Sequence, residues 1–326
     1  MQELFPGRTP QERVADNRLR DVSMDGGITI QDQRALTGRP SRRSLLAVLL
    51  LLPPSEGKTP APRGARPVDL GSLSRPALTA AREQVLDALA AASARPDARA
   101  LLGVGGSLAE EVRRNTGLRT APATDMARVY SGVLYAALGL GDLSATGRRR
   151  ARAHVVVVSA LWGALSPGDR VPAYRLSMGA TLPGLGPLAS HWRAPLAEAL
   201  EPEVDGLVVD CRSAPYAAAW RPLGPLAETV VAVRVLRGGQ VISHHAKHTR
   251  GVLARHLLVR DHRVPRSPER LAEAAAERFD VDLVRTGSGH RLDVHDRGDG
   301  PRLRSGRHRA DGTAYPADAG SLREVT

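Results

Sequence analysis

The sequence predicts a mixed α/β (α+β) fold: a single domain with a central mixed sheet, surrounding helices and a helix-hairpin-helix element. Three observations carry that prediction. A short apolar run, Val48–Leu52, stops at Pro53-Pro54 and reads as a buried parallel strand. A β-branched run over His154–Ser159 reads as a second strand. Segments of helical period lie between and after them, and strands interleaved with helices argue for layers of both kinds. The chain has 326 residues and 42% hydrophobic content, enough for a sizeable core; with only 3% aromatics that core must be Leu, Val and Ala.

The elements follow in chain order. Residues 1–44 are polar, rich in Arg, Asp and Gln, and aperiodic; they read as disordered or as a non-native extension, with Val48 an alternative initiator. Ser41-Arg42-Arg43-Ser44-Leu45-Leu46-Ala47 resembles a twin-arginine signal. The apolar run is short and no small-x-small cleavage site follows, so the strand is the better reading. Pro76–Ala92 predicts a helix, with Leu78, Val85, Leu86 and Leu89 roughly on one side. Short helices over 97–102 and 107–114 flank a Gly-rich turn. Ala123–Leu138 predicts a helix broken at Gly132. Trp192–Leu200 predicts a helix, Leu207–Asp210 a strand and Pro215–Trp220 a short helix. Thr229–Leu236 and Gln240–Ser243 predict a hairpin around Gly238-Gly239. Helices follow at Ala246–Val259 and Ser267–Phe279, then edge strands at Val281–Val284 and Arg291–Val294. The domain therefore spans 45–294, with a disordered basic/acidic tail over 295–326. No repeat of fixed period is present.

Charge narrows the partners. The net charge is +12, and it does not come from the tails: residues 45–284 carry 30 bases against 22 acids. A basic central region points to a polyanion such as nucleic acid, in preference to a membrane surface. No apolar run approaches the ~18 residues that span a bilayer. Cys211 is the only cysteine, so no intrachain disulfide forms and a reducing cytoplasm fits.

Only two of the 46 basic residues are lysines, Lys58 and Lys247. Where any cation serves, this chain uses arginine. The surviving lysines are candidates for positions where guanidinium cannot replace a compact ammonium that can lose its proton; the alternative is two leftovers on a solvated surface. Both sit in dense motifs, Pro53-Pro54-Ser55-Glu56-Gly57-Lys58-Thr59 and His244-His245-Ala246-Lys247-His248-Thr249-Arg250-Gly251, and both are candidate catalytic residues.

The first motif ends in Gly-Lys-Thr like a Walker A loop, but Leu52 stands where that loop needs its first glycine, and two prolines remove phosphate-binding N–H groups. What remains is Ser55, Lys58 and Thr59 on the loop after a buried strand. The second motif, Gly103-Val104-Gly105-Gly106-Ser107 before Leu108-Ala109, fits a helix-hairpin-helix turn. Its glycines admit a phosphate and the following helix offers N–H groups, a grip that reads backbone and not bases. An ordinary tight helix–helix turn has the same pattern. Tyr130-Ser131-Gly132 suits base stacking or core packing equally. The stretch from Trp162-Gly163 to Tyr174-Arg175 follows a strand and suits ligand binding, with Arg175 able to hold a phosphate or a carboxylate in a bidentate grip. Cys211, beside Arg212, reads as a small buried residue. His244 and His248 are four apart, yet no glutamate joins them as in a metalloprotease, so no metal or other cofactor is assigned.

Together these motifs resemble the YaaA family, the bacterial peroxide stress proteins. The resemblance rests on Pro53-Pro54-Ser55-Glu56-Gly57-Lys58-Thr59, Tyr130-Ser131-Gly132, Trp162-Gly163, Tyr174-Arg175-Leu176-Ser177-Met178-Gly179, and Ala246-Lys247 through Arg250-Gly251, over about 48–294. It implies a cytosolic protein that protects cells from hydrogen peroxide, limits damage from unincorporated iron, and binds DNA through a helix-hairpin-helix element beside a positive cleft. Ser55, Lys58, Tyr130, Tyr174, Arg175, Lys247 and Arg250 would line that cleft.

The leading function is thus sequence-independent DNA binding in the peroxide response. The alternative is an enzyme acting on a nucleobase or nucleotide, with Lys58 or Lys247 as a Schiff-base nucleophile as in some glycosylases. The lack of an aspartate partner after the hairpin counts against the usual glycosylase arrangement. Direct iron sequestration ranks last, because no dense carboxylate–histidine set is present. No oligomeric state is assigned.

Overall fold

The computed structural model describes residues 46–237, 240–241 and 244–296. At its centre is β1 (Leu46–Leu52), with a parallel neighbour on each side. Leu49 to Leu52 are buried against both faces of the sheet, which is why this strand is a continuous apolar run without alternation.

After β1 come α1 (Thr79–Ser93), α2 (Ala98–Leu101) and α3 (Ala109–Arg114). A two-residue strand, β2 (Thr124–Asp125), leads into α4 (Met126–Val129), α5 (Val133–Leu138) and α6 (Ala145–His154). Strands β3 (Val155–Ser159) and β4 (Gly163–Leu165) return to the sheet. The short β5 (Arg170–Val171), β6 (Thr181–Leu182) and β7 (Gly186–Pro187) precede α7 (Leu188–Leu200). Then β8 (Val204–Asp210), α8 (Ala214–Ala217), α9 (Pro225–Glu228), β9 (Val230–Arg237) and β10 (Gln240–Val241) follow. The last elements are α10 (His244–Val259), α11 (Pro268–Ala276), β11 (Asp280–Arg285) and β12 (His290–His295).

The main sheet runs β11-β12-β9-β8-β1-β3-β4, with β10 paired against the end of β9. Five strands are mutually parallel, and β4 and β11 close the two edges antiparallel. Taken in chain order, the parallel strands stand 2-1-3-4-5 across the sheet. The chain therefore steps outward to β3 and then back past β1 to β8. In such sheets the crevice beyond the carboxyl ends, at the point of reversal, is the usual ligand site. Leu52, Ser159 and Asp210 end their strands at that edge.

Several expectations are corrected. β12 is not an edge strand: it lies between β9 and β11, with Leu292 and Val294 buried. Its polar Asp293 is tolerated there because Arg234 and Arg291 both bind its carboxylate. The helix expected over Ala123–Leu138 begins as strand β2; its expected break is present between α4 and α5, where Gly132 takes φ 115°, and it opens already at Tyr130, which forms a β-bridge with Lys58. Pro76–Leu78 forms a 3-10 turn before α1, and α7 starts at Leu188, earlier than Trp192. Helix α6 and strand β4 had no counterpart in the sequence reading. The hairpin of β9 and β10 forms, although Gly238-Gly239 and Ser243 lie outside the described residues, as do the two predicted disordered segments, 1–44 and most of 295–326.

Two close contacts set the packing around the reversal point. Buried Arg82 on α1 donates to the carbonyls of Trp162, Ala164 and Ser74 at 2.8–3.0 Å, locking that helix to the chain around β4. Helix α10 crosses α5 at Gly251, where a Cβ would stand 2.3 Å from the Leu134 carbonyl oxygen and 2.8 Å from Ala137 Cβ. Gly251→Val should therefore force the two helices apart and lower the unfolding free energy by about 1–3 kcal/mol, measured by urea denaturation. An unchanged midpoint would mean that the crossing is not tight.

Candidate functional site

The turn after β1 is shaped by chain pairing. Lys58 and Tyr130 form an antiparallel bridge. The Thr59 N–H donates to Val129 O at 2.8 Å and the Ser131 N–H to Gly57 O at 3.4 Å. Pro53 and Pro54 have no N–H to offer, so the ladder begins only beyond them. The Tyr135 hydroxyl donates to Pro53 O at 2.7 Å, which anchors α5 over the end of β1. Ser55 is half-buried and its hydroxyl donates to Gly57 O, a contact that tightens the turn. Thr59 is exposed.

Lys58 points back into this turn. Its ammonium donates to Ser55 O at 2.9 Å and Glu56 O at 3.3 Å, and lies 4.3 Å from the centre of the Tyr174 ring. The Tyr130 ring is 5.8 Å away. Burial is the main influence on its proton affinity, followed by the nearby Arg175 guanidinium; Glu111 and Glu56 act in the opposite direction. The balance brings its pKa down to about 7.

Behind Lys58 the hydroxyls of Ser159, Tyr174 and Tyr130 form a chain, with distances of 2.7 and 3.0 Å. Ser159 Oγ accepts from the N–H groups of Leu161 and Trp162, at 3.2 and 3.0 Å. With both lone pairs engaged, its proton must go to Tyr174, which then donates to Tyr130. Tyr130 and Tyr174 are buried, and burial raises both phenol pKa values. They form the floor of the site and are not an open stacking platform.

Arg175 connects the site to the glycine turn. Its side chain is 18% exposed and lies between Glu56 and Glu111, each 3.7 Å away. Buried Asn115, just after α3, exchanges two hydrogen bonds with the Arg175 backbone at 2.8 and 2.9 Å. The turn itself exposes Gly103, Gly105, Gly106 and Ser107, while Val104 packs against the core. Gly103 takes the left-handed conformation, φ 64°, that turns the chain out of α2. The flanking helices, α2 and α3, are only four and six residues long.

The two lysines have separate environments. Lys247 is exposed on the first turns of α10. Because Gly251 meets Leu134 and Ala137, and Arg255 donates to the carbonyls of Leu138 and Gly139, α10 and α5 run in the same direction. Lys247 thus stands at the end of the helix pair that also carries the Pro53–Thr59 turn. Arg250 turns toward the sheet: it donates to Val233 O at 3.0 Å and influences Cys211 electrostatically. Its buried Nε has no partner among the described residues. Cys211 is fully buried and its thiol is pushed up to about 12, first by burial, so it carries no thiolate chemistry. His248 is exposed, and the His244 side chain lies outside the described residues. The sequence reading missed Tyr216. Its phenol, pushed up to about 12 by burial, shares the electrostatic environment of Glu56 and Arg175. Four of the five tyrosines, Tyr130, Tyr135, Tyr174 and Tyr216, thus form one cluster, with Tyr174 and Tyr130 against Lys58. In a chain with 3% aromatics, that scarcity was the available signal.

The lysine titration has a stability signature. An unfolded lysine keeps its proton to about pH 10.5, whereas folded Lys58 gives it up near 7. Between these values folding releases a proton, so stability rises with pH. Urea unfolding from pH 6.5 to 10 should show that rise, and Lys58→Met should flatten it. Equal slopes in the two proteins would place the titration elsewhere.

Comparison with known proteins fits these motifs. A family model described as peroxide stress protein YaaA matches residues 48–283. A UPF0246 protein of Streptomyces coelicolor is 48% identical over 256 residues, covering 76% of this chain and 98% of the relative. A UPF0246 protein of Corynebacterium efficiens is 42% identical over 216 residues, covering 64% and 84%. One from Methylibium petroleiphilum is 36% identical over 162 residues, covering 47% and 62%. With its motifs gathered at one edge of the sheet and a family match over most of its length, the chain belongs to the YaaA family of peroxide stress proteins.

Proposed function

We propose that this protein binds DNA without sequence specificity during peroxide stress and thereby limits the damage done by unincorporated iron. One observation carries the reading: an exposed glycine turn is joined through α3, Asn115 and Glu111 to Arg175 and the Lys58 site. The turn presents backbone N–H groups without Cβ atoms in the way, the arrangement that suits a phosphate. Arg175, Lys247 and the +8 balance of the central region supply attraction to a polyanion. The two glutamates opening α3 have their own arginines: Glu110 pairs with Arg113, and Glu111 approaches Arg175. Their charge is thus largely offset beside the turn. No helix among the described residues is long and apolar enough to cross a membrane.

Gly105→Glu tests the grip without disturbing the fold. Gly105 has φ −70°, and a Cβ there meets nothing within 4 Å. The added carboxylate should cost roughly tenfold or more in affinity for duplex DNA of any sequence, while the unfolding midpoint stays unchanged. The parent should show an affinity that falls steeply with salt. Absence of binding at low salt, or equal binding by the variant, would remove the glycine turn from the reading. Bubble and junction DNA in the same series would identify the preferred structure.

A further inference from the structure

We propose that Lys58 is a nucleophile that captures an aldehyde borne next to a phosphate, forming an imine through its side-chain nitrogen. The proposal deepens the DNA reading, because one source of this chemistry is an abasic site, whose open sugar carries an aldehyde between two phosphates. A free phosphorylated aldehyde has the same two features.

The geometry is that of a held reactive group. Two carbonyls and one ring face fix the Lys58 nitrogen, so its orientation is set before any ligand arrives. It stands beyond the carboxyl end of β1, beside the strand reversal where open sheets bind ligands. The hydroxyl chain from Ser159 through Tyr174 leaves Tyr130 with its own proton to donate. Arg175, 3.7 Å from each of its carboxylates, is loosely held and can turn to a phosphate. The charged and titratable groups at the site are Arg175, Glu56 and Glu111, which act on Lys58 directly, and the cluster of Tyr130, Tyr135, Tyr174 and Tyr216. A pKa near 7 leaves about half of the amine neutral at neutral pH, roughly a thousandfold more than for an ordinary lysine. Arginine cannot do this chemistry, which accounts for a lysine in a chain that otherwise uses arginine.

The reaction balances without an oxidant or reductant. The neutral amine adds to the carbonyl carbon, and its two N–H protons pass by way of solvent to the former carbonyl oxygen. That oxygen leaves as water as the C=N bond forms.

Trapping with cyanoborohydride tests the proposal, because hydride reduces the imine to a stable amine. The full chain is incubated with a duplex bearing one abasic site, with the intact duplex, with glyceraldehyde 3-phosphate and with glyceraldehyde, and adducts are mapped by peptide mass spectrometry. With two lysines in the chain, background labelling is small. The expected result is an adduct at Lys58 at least 100-fold faster than at Lys247, half-maximal near pH 7 and lost in Lys58→Arg. An adduct with abasic DNA alone identifies DNA as the source, and one with glyceraldehyde 3-phosphate alone identifies a small molecule. Glyceraldehyde should react more slowly than its phosphate. No adduct at Lys58 with any probe, or labelling no faster than at Lys247, overturns the proposal. Because mapping is done on the parent chain, a poorly folded variant does not blur that result. If intact duplex still binds while Lys58 stays unlabelled, only the nucleophile falls. If duplex does not bind but glyceraldehyde 3-phosphate labels Lys58, only the DNA reading falls.

Discussion

Parallel pairing on both sides of β1 is the constraint on which the rest of the structure depends. A strand with parallel neighbours on both sides sits deep inside the fold and must be apolar on both faces, as Leu49 to Leu52 are. Parallel pairing also sends every connection back across the sheet, so the chain between β1 and β3 becomes a long helical excursion. Finally, it aligns the ends of β1, β3 and β8. The turn from Pro53, the segment from Ala160 and the segment from Cys211 all start at one edge, which is why residues more than 150 positions apart meet around Lys58.

Placing a lysine there opposes ordinary packing. Withdrawing an ammonium from water is costly, and the nearby Arg175 adds to the cost. Two carbonyls and the face of Tyr174 return part of it. A guanidinium in the same position would stay charged and bring five N–H donors, more than the carbonyls of Ser55 and Glu56 can accept. The site is therefore suited to an amine that can go without its proton. The surrounding tyrosines lose their acidity on burial, so they act as hydrogen-bond donors and not as anions.

Much of this was legible in the sequence, for physical reasons that also explain what was not. The apolar run of β1 and the β-branched run of β3 announce themselves because both faces are buried. The motif residues Lys58, Tyr130, Tyr174 and Arg175 lie together in the structure, with the two tyrosines as the floor. The break at Gly132 was legible from that glycine, which takes φ 115°; its early start at Tyr130 was hidden, because it comes from pairing with Lys58, 72 positions earlier. Helix α6 was hidden because only Gly147 and Ala151 of its residues are buried, so Ala145–His154 has almost no apolar stripe to read. β12 looked like an edge because Asp293 interrupts it, and only Arg234 and Arg291 on the folded sheet make that carboxylate tolerable. Tyr216 was overlooked beside a lone cysteine that turned out to be inert.

The link between the glycine turn and Lys58 gives the two halves of the surface a common scale. Helix α3 has six residues, about 9 Å of rise. At its far end Asn115 holds the backbone of Arg175 in both directions, and Glu111 approaches the Arg175 side chain. The position of the turn is thereby transmitted to the site through one short rigid element and one fully buried side chain. Under the proposed reading, a strand whose phosphate lay on the turn would pass close to Arg175. A grip that ignores base identity suits such an arrangement, because oxidative lesions arise in any sequence. Under the proposed reading, the backbone turn supplies the holding energy and discrimination comes from what the amine can react with. That division lets an intact strand pass unchanged while an exposed aldehyde is retained.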